Sequence, residues 1–363
     1  MKGKKRQRSP KRKFSNIKKP DGTKKRQYRK KSDKADKTEK KRFQQTVRCS
    51  VGEVREAAKL LKEPHRAKVR EAGFGCVFDW VLEGNVTRIL MCHLMMKIDT
   101  DTMKIHCGSG KVLEVNREAV HFVFGFPIGG DTAPHPVDSG HNKALAQLKK
   151  ELGIDSKSEI KVKDLRKMLT ELVDDADKVD LAVQVFFAIL FNKLICPGSA
   201  PRIGREAPML INMDYQKMAT MDYCQVVVNE IKRAAERYQD RSIPQAGPEG
   251  CGVVPTVMYL DSCYSPRNSV MHTLTPRANY LREKPLRDIF HLDMSNTSGG
   301  FELSDYTFGK LGVSINKALS PFFIFYAAFV LFEPLNISKV NFSLVYHCYT
   351  FLLFHLFVIF FWS

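Results

Sequence analysis

Residues 177–196, DKVDLAVQVFFAILFNKLIC, decide the fold class. From Leu181 to Phe191 the run is apolar nearly all round. A helix of that kind must be enclosed by other elements, because no side of it suits water. It is predicted to be the central helix of a helical core. Asp174, Asp175, Asp177 and Asp180 stand at its start, where negative charge favours the helix dipole. Cys196-Pro197-Gly198 ends it.

Outward from this run the chain reads mostly as amphipathic helices. Before it come apolar spacings of three to four residues over Arg48 to Glu71, divided by Pro64 and ending at Gly73-Phe74-Gly75. Asn85 is the expected cap of a helix over Val86 to Lys97. Met103 to His106 and Val112 to Val115 alternate around Gly108-Ser109-Gly110, which predicts a small hairpin. Asn116 is expected to cap a helix over Arg117 to Phe124, and Ile128 to His141 is a loop. Helices near Asn142 to Leu152 and Lys163 to Val173 lead into the central run. After it, one helix is predicted from Gln216 to Tyr238, with Met218, Met221, Val228, Ile231 and Ala235 inward. A Pro/Gly-rich loop covers Ile243 to Gly252, Val253 to Leu260 suits a strand or a buried helix, and Asp261 to about Lys310 carries only a weak pattern.

The charge is segregated. The chain of 363 residues carries a net charge of +19. Residues 1–48 hold 22 Lys or Arg against Asp21, Asp33, Asp36 and Glu39. The remaining residues hold 36 basic and 35 acidic side chains, so the body is nearly neutral. Residues 1–47 have too few apolar side chains to offset the entropy of folding, and a disordered arm is expected. Its clusters are Lys4-Lys5-Arg6, Lys11-Arg12-Lys13, Lys24-Lys25-Arg26, Arg29-Lys30-Lys31 and Lys40-Lys41-Arg42. Such clusters suit the acidic groove of an import receptor, and they suit phosphate backbones, where counterion release makes binding salt-dependent. Phe14, Tyr28 and Phe43 are the arm's only aromatics, too few for base stacking to be its main mode. The bland alternative is a solvated tail that raises solubility. Ser9, in Ser9-Pro10-Lys11-Arg12, is a candidate phosphorylation site whose phosphate would oppose the neighbouring cations.

The nine cysteines are odd in number and widely spaced, without C-x-x-C, which suits reduced, mostly buried thiols. Gly108-Ser-Gly-Lys111 fails as a phosphate loop, since Ile105 and Val112 stand where Gly and Ser or Thr are needed. Gly73-Phe-Gly75 fails as a dinucleotide fingerprint, with Phe78 in place of the third glycine. Cys92-His93 and His106-Cys107 lack the spacing of a zinc site, and buried Cys and His are common. His135 and His141, with Asp131 and Asp138, read as a solvated loop. No catalytic residue, cofactor or metal is expected.

The C-terminal stretch differs in kind. Ala318 to Ser363 contains Glu333 and Lys339 as its only charges, and Val340 to Ser363 has none over 24 residues, enough to span a bilayer. Three readings stand beside one another: a membrane span, a segment packed on the body, or translated non-coding sequence, whose T-rich codons give Phe-rich runs.

A series of short motifs carries a family resemblance. These are Glu71-Ala-Gly-Phe-Gly75, Ile105-His-Cys-Gly108, Val123-Phe-Gly-Phe-Pro-Ile-Gly-Gly130, Phe191-Asn-Lys-Leu-Ile-Cys-Pro-Gly-Ser199 and Met221-Asp-Tyr-Cys-Gln-Val-Val227. Their order over residues 48–295 resembles the plant mobile domain, also called the aminotransferase-like plant mobile domain. More narrowly, it resembles the grass types often found with transposons or ahead of Ulp1-like cysteine protease domains. The resemblance implies a mostly helical domain linked to mobile elements and, in some members, to nuclear gene silencing. It supplies no catalytic residues, and no setting for a pyridoxal-binding lysine is recognisable.

The expected architecture is mainly α: a multi-helix domain with a small β-hairpin over residues 48–310. A disordered basic arm (1–47) precedes it and a hydrophobic tail (311–363) follows. The expected function is non-enzymatic and nuclear, with an import receptor as partner, nucleic acid as a further partner through the arm, and an unnamed protein partner. The alternatives are a membrane-anchored protein held by the tail and an unrecognised enzyme.

Overall fold

A computed structural model describes residues 48–84, 87–107, 111–137, 139–198, 200–240, 242, 248–263, 274–296 and 306–309. The basic clusters between Lys4 and Arg42, Ser9, Asn85, Gly108 to Gly110, Asp138 and the tail lie outside these residues.

The architecture is mainly helical with a small antiparallel sheet. Its helices are α1 (Val51–Leu60), α2 (Glu63–Glu71), α3 (Arg88–Lys97), α4 (Arg117–Phe124), α5 (Asn142–Glu151) and α6 (Val162–Leu172). There follow α7 (Val179–Leu190), α8 (Ala207–Leu210), α9 (Tyr215–Thr220), α10 (Tyr223–Gln239), α11 (Val253–Ser262) and α12 (Glu283–Asp293). The strands are β1 (Ile98–Asp99), β2 (Lys104–His106), β3 (Val112–Glu114), β4 (Ser295–Asn296) and β5 (Tyr306–Thr307).

The central run behaves as its composition dictates. In α7, Ala182, Val183 and every residue from Val185 to Leu190 are buried. The helix packs against α1, α2 and α6. Gln184, its one polar residue on that stretch, is satisfied by donating to the Leu210 carbonyl (2.8 Å) and to Glu151 (2.5 Å). The run does not stay α-helical to Cys196. It opens into a π turn over Phe191–Ile195, with the Cys196 amide donating to the Phe191 carbonyl at 2.8 Å. Such wide turns occur where local packing overrides the regular ladder.

Caps follow the sequence closely. The Asn116 side chain accepts from the Ala119 amide at 2.9 Å, and Gly125 closes α4 with φ +77°. Pro64 sits in the first turn of α2, where its missing N–H costs nothing. Before α3 the cap is Thr87, which accepts from the Leu90 amide at 3.2 Å, so the helix starts two residues later than predicted. The predicted hairpin is present as β2–β3, with Ile105 opposite Leu113. β1 follows α3 directly and pairs with β2, and its two residues are too few for an alternating pattern to show.

One open alternative is settled and two expectations are revised. Val253 to Leu260 is buried helix, α11, packed on α3, α4 and α12. The weakly patterned stretch holds α12, whose buried stripe is Leu286, Ile289 and Phe290. The single helix predicted over Gln216 to Tyr238 is two, broken at Met221-Asp222, and Met221 is only half-buried. The break has a visible cause. The strap Pro127 to Asp131 takes the backbone groups that a continuous helix would need. The Gly129 amide donates to the Met221 carbonyl, that of Asp131 to Thr220, that of Asp222 to Asp131, and that of Cys224 to Pro127. Asp222 then caps α10, accepting from the Gln225 amide at 2.8 Å.

Aromatic rings tie loops to this frame. Phe74, fully buried, stands 5.4 Å from Phe187, 5.5 Å from Phe126 and 5.1 Å from Tyr223, between ring centroids. Trp80 donates its indole N–H to the Phe124 carbonyl at 3.1 Å. Gly73 fits because a Cβ there would meet the Pro127 ring at 2.8 Å, a packing reason for a glycine that resembles a nucleotide motif.

Candidate functional site

Among the described residues, three buried polar clusters and the segment that follows the arm stand out. The largest cluster centres on Glu230 of α10, whose side chain is 6% exposed. Arg205 reaches its two carboxylate oxygens at 2.7 and 3.1 Å, and Arg233 reaches it at 3.0 and 3.2 Å before turning to Glu249 at 3.0 Å. Beside it Asn192, from the π turn, donates to Glu206 at 2.5 Å and to the Arg202 carbonyl at 3.2 Å. Burial raises the Glu206 carboxyl above its usual range, against the Asn192 hydrogen bond. The cluster pins residues 202–206 to the π turn and α10.

The second cluster gathers at Asp293, the last residue of α12. Tyr259 donates to it at 2.6 Å and the Gly309 amide at 3.0 Å. Its charge acts on His93, Cys107 and Cys263. Burial lowers the His93 pKa to about 4, helped by Lys97 and opposed by Asp293. The third cluster is Arg277, fully buried, which donates to Asp261 at 2.7 Å and to the Leu274 carbonyl at 2.9 Å.

The carboxylates of Glu230, Asp293 and Asp261 each hold a cation or a hydroxyl at bonding distance, the usual solution for a buried charge. Burial opposes ionisation of most of the described thiols. Burial pushes Cys76 up to about 12 and Cys107 up to about 11, and it also raises Cys92, Cys196, Cys224, Cys251 and Cys263. Cys92 and His93 do not pair with His106 and Cys107 around a shared point. Among the described residues no three His, Cys, Asp or Glu side chains converge as metal ligands. Asp131 of the loop accepts from the Thr220 hydroxyl at 2.6 Å, and His135 is exposed.

The arm enters at Cys49, which is buried, and Ser50, which caps α1 and whose amide donates to the Lys193 carbonyl at 3.2 Å. The Lys193 ammonium, itself buried in the π turn, meets Glu53 at 3.1 Å. The sequence singled out neither Glu230 nor Asp293. One signal for Glu230 was present: it lies four residues from Val226 and four from Ala234, on the buried stripe of α10.

Comparison with known families changes the affiliation. A family model described as a domain of unknown function (DUF8566) matches residues 47–254, and no plant mobile domain model matches. No curated protein and no solved structure matches the chain. The resemblance to plant mobile domains rested on short motifs, and the structure gives these motifs packing roles. Val123 to Gly130 is the end of α4 and its strap, and Phe191 to Cys196 is the π turn. The links to mobile elements and gene silencing rested on that resemblance and lose that support. With more than half of its length matched, the chain belongs to the family described as a domain of unknown function (DUF8566).

Proposed function

We propose that the chain is a non-enzymatic nuclear protein whose basic arm engages an import receptor and nucleic-acid phosphates, while its helical body serves as a scaffold for a protein partner. The observation that carries this reading is the charge segregation. Residues 1–48 hold 22 of the 58 Lys and Arg, and the rest of the chain is almost balanced. Any long-range attraction to an acidic groove or a phosphate backbone therefore resides in the arm. Raised thiol pKa values and ion-paired buried acids support a body that does not catalyse.

The test is imaging of a tagged chain lacking residues 318–363, with and without residues 1–47. Nuclear accumulation should require the arm. Unchanged nuclear location after its removal would overturn the reading. A second reading, a membrane anchor with arm and body on the cytoplasmic side, is favoured by the charge-free run Val340 to Ser363. Carbonate-resistant membrane association that depends on residues 318–363 would support it. Among the described residues no helix is long and apolar enough to cross a membrane.

A further inference from the structure

We propose that Cys49 and Cys251 form a disulfide when the folded chain meets a peroxide, tying the root of the basic arm to the start of α11. The two sulfur atoms lie 3.6 Å apart, in contact, although 202 residues separate them in sequence. A disulfide needs about 2 Å.

The juxtaposition is built by a third segment. The Ser50 amide holds the Cys49 side to the Lys193 carbonyl, and the Gly250 amide holds the Cys251 side to the Pro197 carbonyl at 2.9 Å. Both thiols thus hang on residues 193–197, the end of the π turn and the proline after it. Cys251 is further fixed by its neighbours. Gly250 adopts φ +72° with Ala234 and the Glu230 carbonyl close against it, and a Cβ on Gly252 would stand 2.5 Å from Met91. A side chain at either position would collide with these neighbours, so both glycines beside Cys251 are closely packed.

Burial pushes the Cys251 thiol well above its usual range, opposed by the backbone N–H groups of Val253 and Val254. Either sulfur can meet the peroxide first, and the same disulfide results. With Cys251 first, its thiolate attacks one peroxide oxygen, the O–O bond breaks, and hydroxide leaves and takes up a proton as water. Cys251 becomes a sulfenic acid. Cys49 then attacks that sulfur; the S–S bond forms, the S–O bond breaks, and a second water carries off the Cys49 proton. Two thiols and one hydrogen peroxide give one disulfide and two waters. Both sulfurs are buried, at 1% and 0% exposure. The reaction is therefore slow and waits on opening of residues 48–50, where the arm joins α1.

The experiment treats the purified full chain with hydrogen peroxide in native buffer, blocks remaining thiols with N-ethylmaleimide and maps peptides without reduction. The expected result is a peptide linking Cys49 to Cys251, two fewer titratable thiols, and an upward shift of the thermal midpoint that dithiothreitol reverses. Cys49→Ala and Cys251→Ala should each abolish the linked peptide; the wild-type map decides the matter even where a variant folds poorly. Recovery of Cys49 and Cys251 alkylated after peroxide treatment would overturn the proposal. So would their recovery as sulfinic acids, their linkage to other cysteines, or a bond that forms only in denaturant.

Discussion

Glu230 shows how much a single residue can hold. It lies on the buried stripe of α10 and pairs with both Arg205 and Arg233, the second of which also reaches Glu249. Taking away one member of a buried ion pair strands the other charges without water, which costs about 3 kcal/mol or more. Glu230→Ala should therefore lower the free energy of unfolding by about 3 kcal/mol in urea titrations. Glu230→Gln should cost less, because it keeps an acceptor for both guanidinium groups. Equal losses would mean that charge is irrelevant at this site.

His93 gives a residue-scale prediction with a definite sign. Its folded pKa is about 4 against an ordinary 6.5. As pH falls through 6.5 the unfolded chain takes up the proton first, so stability drops between pH 6.5 and 4 and is unaffected above that window. The full loss is on the order of 3 kcal/mol. Burial lowers the His65 pKa in the same direction, opposed by a hydrogen bond to the Lys62 backbone. His93→Leu should flatten this part of the stability profile relative to wild type. Parallel profiles for the two proteins between pH 4 and 6.5 would remove His93 from the account.

At the scale of elements, the strap after α4 decides where α9 ends and α10 begins. Gly129 makes the strap's close approach to the helix break, since a Cβ there would lie 1.8 Å from the Thr220 carbonyl oxygen. Gly130, one residue on, has open space around its Cβ position. Gly129→Ala must push the strap off the Thr220-Met221 backbone and should cost about 2–3 kcal/mol. Gly130→Ala should stay within about 0.5 kcal/mol of wild type. Similar thermal midpoints for the two variants would show that the strap is not under this constraint. Sequence spacing cannot reveal such a break, because Met218, Val228, Ile231 and Ala235 fall on one helical stripe whether or not the helix is continuous. The competing hydrogen bonds come from residues about ninety positions earlier.

For the whole molecule, the near-neutral body and the basic arm should separate in experiment. Binding of the full chain to a random DNA duplex should weaken by about a thousandfold or more between 50 and 200 mM salt if six or more phosphates are neutralised. Deleting residues 1–47 should remove that binding and its salt dependence, read by fluorescence anisotropy. Salt-dependent binding that survives the deletion would place the contact surface on the body. The hydrophobic core runs as one cluster from Cys49 to Phe290, so the packing reaches well beyond the residues that define the family.

What the sequence determined by itself was local or compositional. An all-apolar run had to become a buried helix, Asn116 and Gly125 had to bound α4, and alternating residues around a glycine turn had to pair as β2 and β3. Charge counting needs no coordinates at all. The tertiary structure decided what depends on residues distant in the chain. It set the break at Met221-Asp222, the π turn that turns Asn192 and Lys193 to use, the guanidinium pair on Glu230, and the contact of Cys49 with Cys251. Local periodicity records how a segment meets its own neighbours, whereas these features arise where segments up to 202 residues apart compete for the same hydrogen bonds and the same space.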